Sequence, residues 1–199
     1  MLSYQHQRKM LHKLLIFFVL TTSFVLAERS GPYLGIGYGY GMYEPGNRIT
    51  KVEEQPYNIR LTAGAYINEN LSVELGFAEF GGAVLGYDLS NYRTFDSTAN
   101  TTFDESFRVF SVSTLAHYPF YHNTFDVFGR FGAGSLGWRT SKEVANSETD
   151  HPVLIFGGGA SWRMSDMFSM ILGYDYYSFK LEGTNTSIGS AYLSFEAQF

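Results

Sequence analysis

Two stretches of the sequence have residue types that occur in catalytic or cofactor sites. Residues 132–137, Gly-Ala-Gly-Ser-Leu-Gly, match the glycine fingerprint of dinucleotide-binding proteins. In those proteins a helix begins at the glycines and its N-terminus holds the pyrophosphate, whereas here Trp138 leads into a polar stretch. Ser147, Asp150 and His151 have the residue types of a hydrolase triad, but a triad is defined by geometry and not by proximity in the sequence. We therefore expect no catalytic residue, no nucleotide cofactor and no enzyme activity.

Metal and nucleic-acid sites are not indicated either. The chain has no cysteine, which excludes a thiolate metal site, a disulfide scaffold and a cysteine nucleophile. His117 and His122 do not have the spacing of metal ligands. The formal net charge of −5 argues against nucleic acid, which requires a basic surface. We expect no cofactor, no metal ion and no nucleic-acid partner.

Charged residues stand at alternate positions within otherwise apolar segments. If these segments are membrane strands, a charge on the lipid face would cost roughly 2–4 kcal/mol near the midplane, so the charges should point into a lumen. Buried charges must pair, and we predict that Glu74 pairs with Arg60 or Arg130 and plugs the lumen. A gate that opens by exchanging partners and a static polar core both remain open. The predicted lumen charges are Arg60, Glu74, Arg130, Asp175 and Glu196.

The segments that carry these charges alternate with period two, which excludes amphipathic helices and predicts β-strands. Each has about the 9–11 residues that a tilted strand needs to cross the apolar band of a membrane. No run of 18 apolar residues follows the N-terminal segment, so no transmembrane helix is expected. The clear strands are residues 34–42, 57–67, 168–177 and 191–199, and the weaker ones are 71–80, 108–118, 124–137 and 153–163.

The connections between the eight predicted strands alternate between short and long. Residues 68–70, 119–123 and 163–167 are tight turns. The other links are longer and polar, at residues 44–56, 81–106, 139–152 and 179–187. Such segregation is typical of an outer-membrane barrel with short periplasmic turns and long extracellular loops. The predicted fold is all-β, an eight-stranded antiparallel up-and-down transmembrane β-barrel.

Residues 1–27 have the order of a secretory signal peptide. Arg8, Lys9 and Lys13 precede an apolar stretch that ends at Ala27, a small residue suited to cleavage. An N-terminal membrane anchor is the alternative, although the apolar stretch is short for spanning, and Met10 could be the true start. We expect residues 1–27 to be removed and residues 28–199 to form a barrel domain in the bacterial outer membrane.

Aromatic residues are abundant, with 18 Phe, 15 Tyr and 2 Trp against only 17% charged residues. Several of them fall near predicted strand ends, where a ring with a polar edge suits the boundary between lipid and water. The alternative is the core of a soluble β-sandwich. The predicted girdle consists of Tyr33, Tyr43, Tyr57, Tyr118 and Trp162.

Several segments together resemble the transmembrane domain of the OmpA family. Residues 72–77 resemble its third strand with an inward glutamate, here Glu74, and residues 125–132 resemble its fifth strand with an inward arginine, here Arg130. Residues 157–159 and 172–176 resemble its sixth and seventh strands. The resemblance implies that Phe195 and Phe199 form the C-terminal signal read by the barrel assembly machinery.

The chain departs from that family in two ways. Where the family has further charged residues in the lumen, this sequence has Leu115, Ser161 and Ile171, which argues against a salt-bridge switch. No peptidoglycan-binding domain follows the last strand, so we do not expect a tether to the cell wall.

Three classes of function fit these features. We favour a structural barrel that supports envelope integrity and surface interaction, with a lumen filled by polar and charged side chains. A narrow porin-like channel for ions or small solutes is the alternative, and a lipid-modifying barrel enzyme is a third. The expected partners are outer-membrane lipid and lipopolysaccharide, the barrel assembly machinery, and a surface ligand bound through residues 81–106.

Overall fold

The computed structural model describes residues 30–44, 49–87, 101–121, 123–140, 148–181 and 184–199. The predicted signal peptide, residues 1–27, lies outside the described residues. No helix among the described residues is long and apolar enough to cross a membrane. The strands are β1 (Gly31–Glu44), β2 (Ile49–Glu54), β3 (Tyr57–Asn68), β4 (Leu71–Tyr87), β5 (Thr101–Phe120), β6 (Phe125–Thr140), β7 (Glu148–Arg163), β8 (Phe168–Leu181) and β9 (Thr184–Gln198).

The strands form one antiparallel sheet that closes on itself. Its order is β2-β4-β3-β1-β9-β8-β7-β6-β5, and β4 also pairs with β5. Eight strands therefore complete the circle, while β2 pairs with residues 84–87 at the end of β4. Closure satisfies the backbone hydrogen bonds of each barrel strand on both sides, as a membrane-spanning sheet requires. The prediction of an eight-stranded up-and-down barrel is confirmed.

One end of the barrel, here called the tight-turn end, carries the links at residues 69–70 and 164–167, the link residues 121 and 123–124, and Gly31 and Phe199. The backbone N–H of Phe199 donates to the Pro32 carbonyl at 3.0 Å, which fastens the last residue to β1. The opposite end is called the loop end. Its connecting residues 45–48, 88–100, 141–147 and 182–183 lie outside the described residues.

The predicted boundaries of the loop-end connections need correction. β4 continues to Tyr87 and β5 starts at Thr101, so most of the flanks of the predicted 81–106 loop are paired strand. The predicted loop 44–56 contains β2, and β8 and β9 extend into the predicted loop 179–187. A ladder can continue beyond the apolar band because backbone pairing does not depend on an outward apolar pattern.

The two faces of the barrel wall differ in the expected way. Large apolar side chains alternate outward, and Leu75, Phe110 and Leu172 are each more than 60% exposed. The five predicted lumen charges point inward and are buried, whereas the side chains of Glu79 and Arg108 are more than a third exposed. Arg60 of β3, for example, is 4% exposed between Ile59 and Leu61, which both face outward. An apolar outer face and a closed sheet are what a lipid environment selects.

Candidate functional site in the barrel lumen

Four charged side chains from four strands meet in the middle of the lumen. Arg60 and Arg130 both contact Oε1 of Glu74, at 3.0 Å from Nη2 and 2.7 Å from Nη1 respectively. Asp175 pairs with Arg60 and lies 3.5 Å from Arg130 Nε. Each of the four side chains is at most 5% exposed. Two guanidinium groups and two carboxylates thus form a neutral buried network, here called the charge layer.

Tyrosines hold the charge layer in place. The hydroxyl of Tyr33 donates to Glu74 Oε2 at 3.2 Å. The guanidinium carbon of Arg60 lies 4.5 Å from the ring centroid of Tyr192, which is within cation–π range. Since every charged group has several fixed partners, the layer resists opening by thermal motion of a single side chain.

The structure places all five predicted lumen charges inside the barrel. Glu74 contacts both arginines at once, where the sequence predicted one of the two. Glu196 lies apart from the charge layer and accepts a hydrogen bond from the Tyr66 hydroxyl at 3.0 Å. Glu74 already contacts both arginines of the charge layer, so a gate that moves Glu74 from one arginine to the other has no second arginine left to move to within this layer.

An apolar layer fills the lumen between the charge layer and the loop end. Its side chains come from seven of the eight barrel strands, and Tyr43 stacks on Phe107 with ring centroids 5.5 Å apart. The expectation of a lumen filled by polar and charged side chains therefore does not describe this half, which apolar side chains fill. The members of the apolar layer are Tyr43, Ala78, Phe80, Phe107, Val109, Leu136, Val153, Ile155, Tyr177, Phe179 and Ile188.

A third group lies at the tight-turn end and was missed by the sequence analysis. Ser72 Oγ lies 2.9 Å from His117 Nε2, and His117 Nδ1 lies 3.5 Å from Asp126 Oδ2. The Ser161 hydroxyl donates to the same carboxylate oxygen at 3.1 Å. Inward parity close to a tight turn is the signal that could have brought Ser72, His117 and Asp126 together.

This Ser–His–Asp chain resembles a hydrolase triad but has no room for a substrate. Ser72 is 0% exposed. The cavity next to His117 has a volume of about 20 Å³, which accommodates one water molecule. Of the three residues whose types resemble a hydrolase triad, Asp150 and His151 lie on β7, and Ser147 is outside the described residues. Residues 132–137 lie within β6, so no helix begins at these glycines.

The predicted aromatic girdle needs correction at two positions. Tyr33 and Tyr43 are 2% and 3% exposed and point into the lumen. The physical reason is strand alternation, because Leu34 and Met42 on the same strand face outward and their neighbours must face inward. Tyr57, Tyr118 and Trp162 are exposed on the outer surface. A girdle role for these three stays a prediction.

Phe195 and Phe199, the predicted assembly signal, are both exposed at the tight-turn end of β9 and beyond it. Their exposure leaves both rings accessible, and their recognition during assembly stays a prediction. The described residues hold no group of three or more His, Asp or Glu side chains placed to bind a metal ion.

Comparison with known proteins agrees with this geometry. The family described as outer membrane protein beta-barrel domain matches residues 14–199. No curated protein sequence matches the chain. Neisserial surface protein A is similar in structure with a TM-score of 0.63 and 13% identity, over 85% of this chain and 98% of that chain. Ail, the attachment invasion locus protein of Yersinia pestis, has a TM-score of 0.57 and 19% identity over 86% and 99%. The N-terminal barrel domain of Pseudomonas aeruginosa OprF has a TM-score of 0.54 and 12% identity over 86% and 100%.

Proposed function

Because the chain belongs to the outer membrane protein beta-barrel domain family, we propose that it is a closed, non-enzymatic barrel that supports the envelope and presents a surface for interaction. Outer-membrane barrels have short turns on the periplasmic side and long loops on the outside. The tight-turn end therefore faces the periplasm and the loop end faces outward. The observation that carries the proposal is the double closure of the lumen by the charge layer and the apolar layer.

The two layers oppose permeation for different physical reasons. An ion entering the apolar layer would lose its hydration among carbon atoms, and this costs several kcal/mol even after relaxation. An ion entering the charge layer would have to displace guanidinium–carboxylate contacts as short as 2.7 Å. Eight strands enclose a space that side chains alone can fill. A narrow channel for ions or small solutes would require both layers to open together.

Solute uptake into vesicles tests the closure. Vesicles that contain the refolded protein should swell no faster in arabinose than empty vesicles, while a general porin serves as the positive control. The variants Phe107→Ala/Leu136→Ala and Glu74→Ala/Arg130→Ala should also stay closed, because each opens one layer only. Swelling of wild-type vesicles that slows with increasing solute size would support the channel and overturn the proposal.

The surface role is proposed for the loop end, where β2, β4 and β5 continue the sheet. This includes the described parts of residues 81–106, whereas residues 88–100 lie outside the described residues. The four predicted loop ranges carry 11 acidic and 6 basic residues, a net charge of −5. We therefore propose a partner with a neutral or basic surface.

Ail of Yersinia pestis has been crystallised with the heparin analogue sucrose octasulfate. The acidic loop end of this chain disfavours such a polyanion by charge repulsion. The purified barrel should pass through immobilised heparin at about 150 mM salt, where exposed charges still interact within roughly 8 Å. Retention on heparin under these conditions would contradict the proposed partner class without affecting the closed lumen.

Export and assembly complete the proposal. We propose that residues 1–27 direct export and are cleaved after Ala27, and that Phe195 and Phe199 serve as the signal read by the barrel assembly machinery. Outer-membrane lipid and lipopolysaccharide would then surround the exposed apolar face. N-terminal sequencing of the protein from isolated membranes tests the cleavage, and a mature chain that still begins before residue 28 would refute it.

A further inference from the structure

The ring of strands is closed by the ladder between β1 and β9, the first and last strands of the chain. This ladder, here called the closure seam, runs from Tyr33 paired with Gln198 to Glu44 paired with Ser187. Because β1 and β9 stand at opposite ends of the barrel sequence, no turn joins them. Any hold on the closure seam beyond backbone pairing must therefore come from side chains.

Four successive inward positions of β1 are glycine, and side chains of both neighbouring strands occupy the space above them. An added Cβ at Gly35 would collide with Thr62 Oγ1 of β3, and one at Gly37 would collide with Ser194 Oγ of β9. The inward face of β1 thus forms a track that is open to side chains from either side. The glycine track consists of Gly35, Gly37, Gly39 and Gly41, and the inward residues Tyr33 and Tyr43 flank it.

Side chains of β3 and β9 meet over β1, although these two strands are not neighbours in the sheet. Asn58 Nδ2 donates to Ser190 Oγ at 3.1 Å, and the Tyr66 hydroxyl donates to Glu196 Oε1 at 3.0 Å. All four side chains are buried. Two strand spacings separate the backbones of β3 and β9, which is roughly 9–10 Å. Contacts over that distance require the strand between them to present no side chain of its own.

The charge layer takes part in the same crossing. Arg60 pairs with Gly37 in the ladder between β3 and β1, and Tyr192 pairs with Gly39 in the closure seam. The guanidinium carbon of Arg60 lies 4.5 Å from the Tyr192 ring centroid. An added Cβ at Gly39 would lie 2.8 Å from Tyr192 Cβ. Glycine at these positions therefore lets Arg60 reach the ring on β9.

We propose that the glycine track lets β3 and β9 hold each other through the lumen, and that these contacts keep the closure seam shut. The three contacts, here called the seam clasp, are Asn58 with Ser190, Arg60 with Tyr192, and Tyr66 with Glu196. The seam clasp needs both β3 and β9 to be paired with β1, so it forms only when the ring closes. It is independent of the proposed surface partner and of export.

Amide hydrogen exchange of the barrel in lipid vesicles tests the seam clasp strand by strand. Asn58→Ala removes the donor to Ser190. The amides of the closure seam should then exchange on the order of tenfold faster than in the wild type, the size expected when a buried hydroxyl loses a partner. The amides of the ladder between β6 and β7 should keep their rates.

Ser161→Ala is the matched control for Asn58→Ala. It removes a buried hydrogen bond of 3.1 Å, from Ser161 of β7 to Asp126 of β6, on another part of the ring. The closure seam should exchange at its wild-type rate in this variant. Unchanged seam rates in Asn58→Ala, or an equal acceleration in all strands, would overturn the proposal.

Gly37→Ala tests the glycine track itself. Its methyl group collides with Ser194 Oγ, so exchange at the closure seam should accelerate by about tenfold or more. Gly132→Ala on β6 is the matched control, because its methyl group collides in the same way with Ser113 Oγ of β5. That variant should accelerate exchange between β5 and β6 and leave the closure seam unchanged. A closure seam that responds equally to both variants would overturn the proposal.

A double-mutant cycle keeps the proposal testable if Gly37→Ala does not fold. The folding equilibria of Asn58→Ala, Ser190→Ala and the double variant are measured by urea unfolding in lipid vesicles. If the two side chains hold each other over β1, the effect of the double variant should differ from the product of the single effects by at least about twofold. Effects that simply multiply, as is usual for residues whose backbones lie this far apart, would overturn the proposal.

Discussion

Removing the charge of Glu74 should destabilise the barrel far more than removing the charge of an exposed glutamate. In Glu74→Gln the side chain keeps its shape, but Arg60 and Arg130 are left with one carboxylate, that of Asp175. Glu74 is 5% exposed, contacts both guanidinium groups and accepts a hydrogen bond from Tyr33. Breaking a buried pair in this way costs roughly 3–5 kcal/mol.

Glu79→Gln is the matched control. Glu79 pairs with Arg108 at 3.1 Å, but both side chains are more than a third exposed. Both residues stand at the loop-end limit of the predicted spanning segments 71–80 and 108–118, and a pair that is exposed to water contributes about 0–1 kcal/mol. The two variants should therefore differ by about 3 kcal/mol, or roughly a hundredfold in the folding equilibrium.

A second variant tests whether the cost of Glu74→Gln comes from the lost charge balance. Glu74→Gln/Arg130→Met leaves Arg60 and Asp175 as a balanced pair, so it should be more stable than Glu74→Gln alone. The assay is urea unfolding in lipid vesicles, followed by tryptophan fluorescence and by the faster gel migration of the unboiled barrel. Equal costs for Glu74→Gln and Glu79→Gln, or a double variant less stable than the single one, would refute this reasoning.

Three smaller predictions concern packing inside the barrel. Phe107→Ala opens a cavity in the apolar layer and should cost about 3–5 kcal/mol in urea unfolding; a cost below 1 kcal/mol would mean that the layer is not packed. Gly157→Ala places a methyl group against the Asp175 carboxylate and should cost about 1–3 kcal/mol, while Gly129→Ala, whose methyl group meets no atom within 4 Å, should be neutral in the same assay. Tyr66→Phe removes the hydrogen bond to Glu196 and should cost about 1.5–3 kcal/mol; thermal unfolding that matches the wild type would contradict it.

The barrel could be predicted from the sequence because apolar outward residues alternate with polar or small inward residues in the clear spanning strands. Arg60 between Ile59 and Leu61 shows it, since lipid accepts the two apolar neighbours and excludes the charge. The same alternation explains why the predicted aromatic girdle needed correction. Leu34 and Met42 face outward, and alternation alone then requires Tyr33 and Tyr43 to face the lumen.

The features that sequence analysis missed depend on register or lie where the alternation fades. In the apolar layer both faces of the strand are apolar, as at Val109 and Phe110, so inward residues are not marked by polarity. β2 has no counterpart in the predicted strands. It pairs with the end of β4 through a ladder whose register shifts twice.

The contacts of His117 could not be predicted from the sequence because they depend on the relative register of three strands. Parity indicates that Ser72, His117 and Asp126 all face inward, but it does not say which of them are neighbours. A tight turn joins β5 to β6 and sets the register that brings His117 close to Asp126. No tight turn joins β4 to β5, so the position of Ser72 beside His117 follows from the observed ladder between these two strands. Distances within the lumen therefore come from the structure and not from the pattern of side chains.

Single-channel conductance in a planar bilayer tests the closed lumen most directly. With the wild-type barrel inserted in 1 M KCl, chosen here as a test condition of high ionic strength at which the Debye length is about 3 Å, we predict a current that stays at the baseline of the bare membrane. Reproducible conductance steps from the wild-type protein would contradict the closure by the charge layer and the apolar layer, and would make the chain a channel.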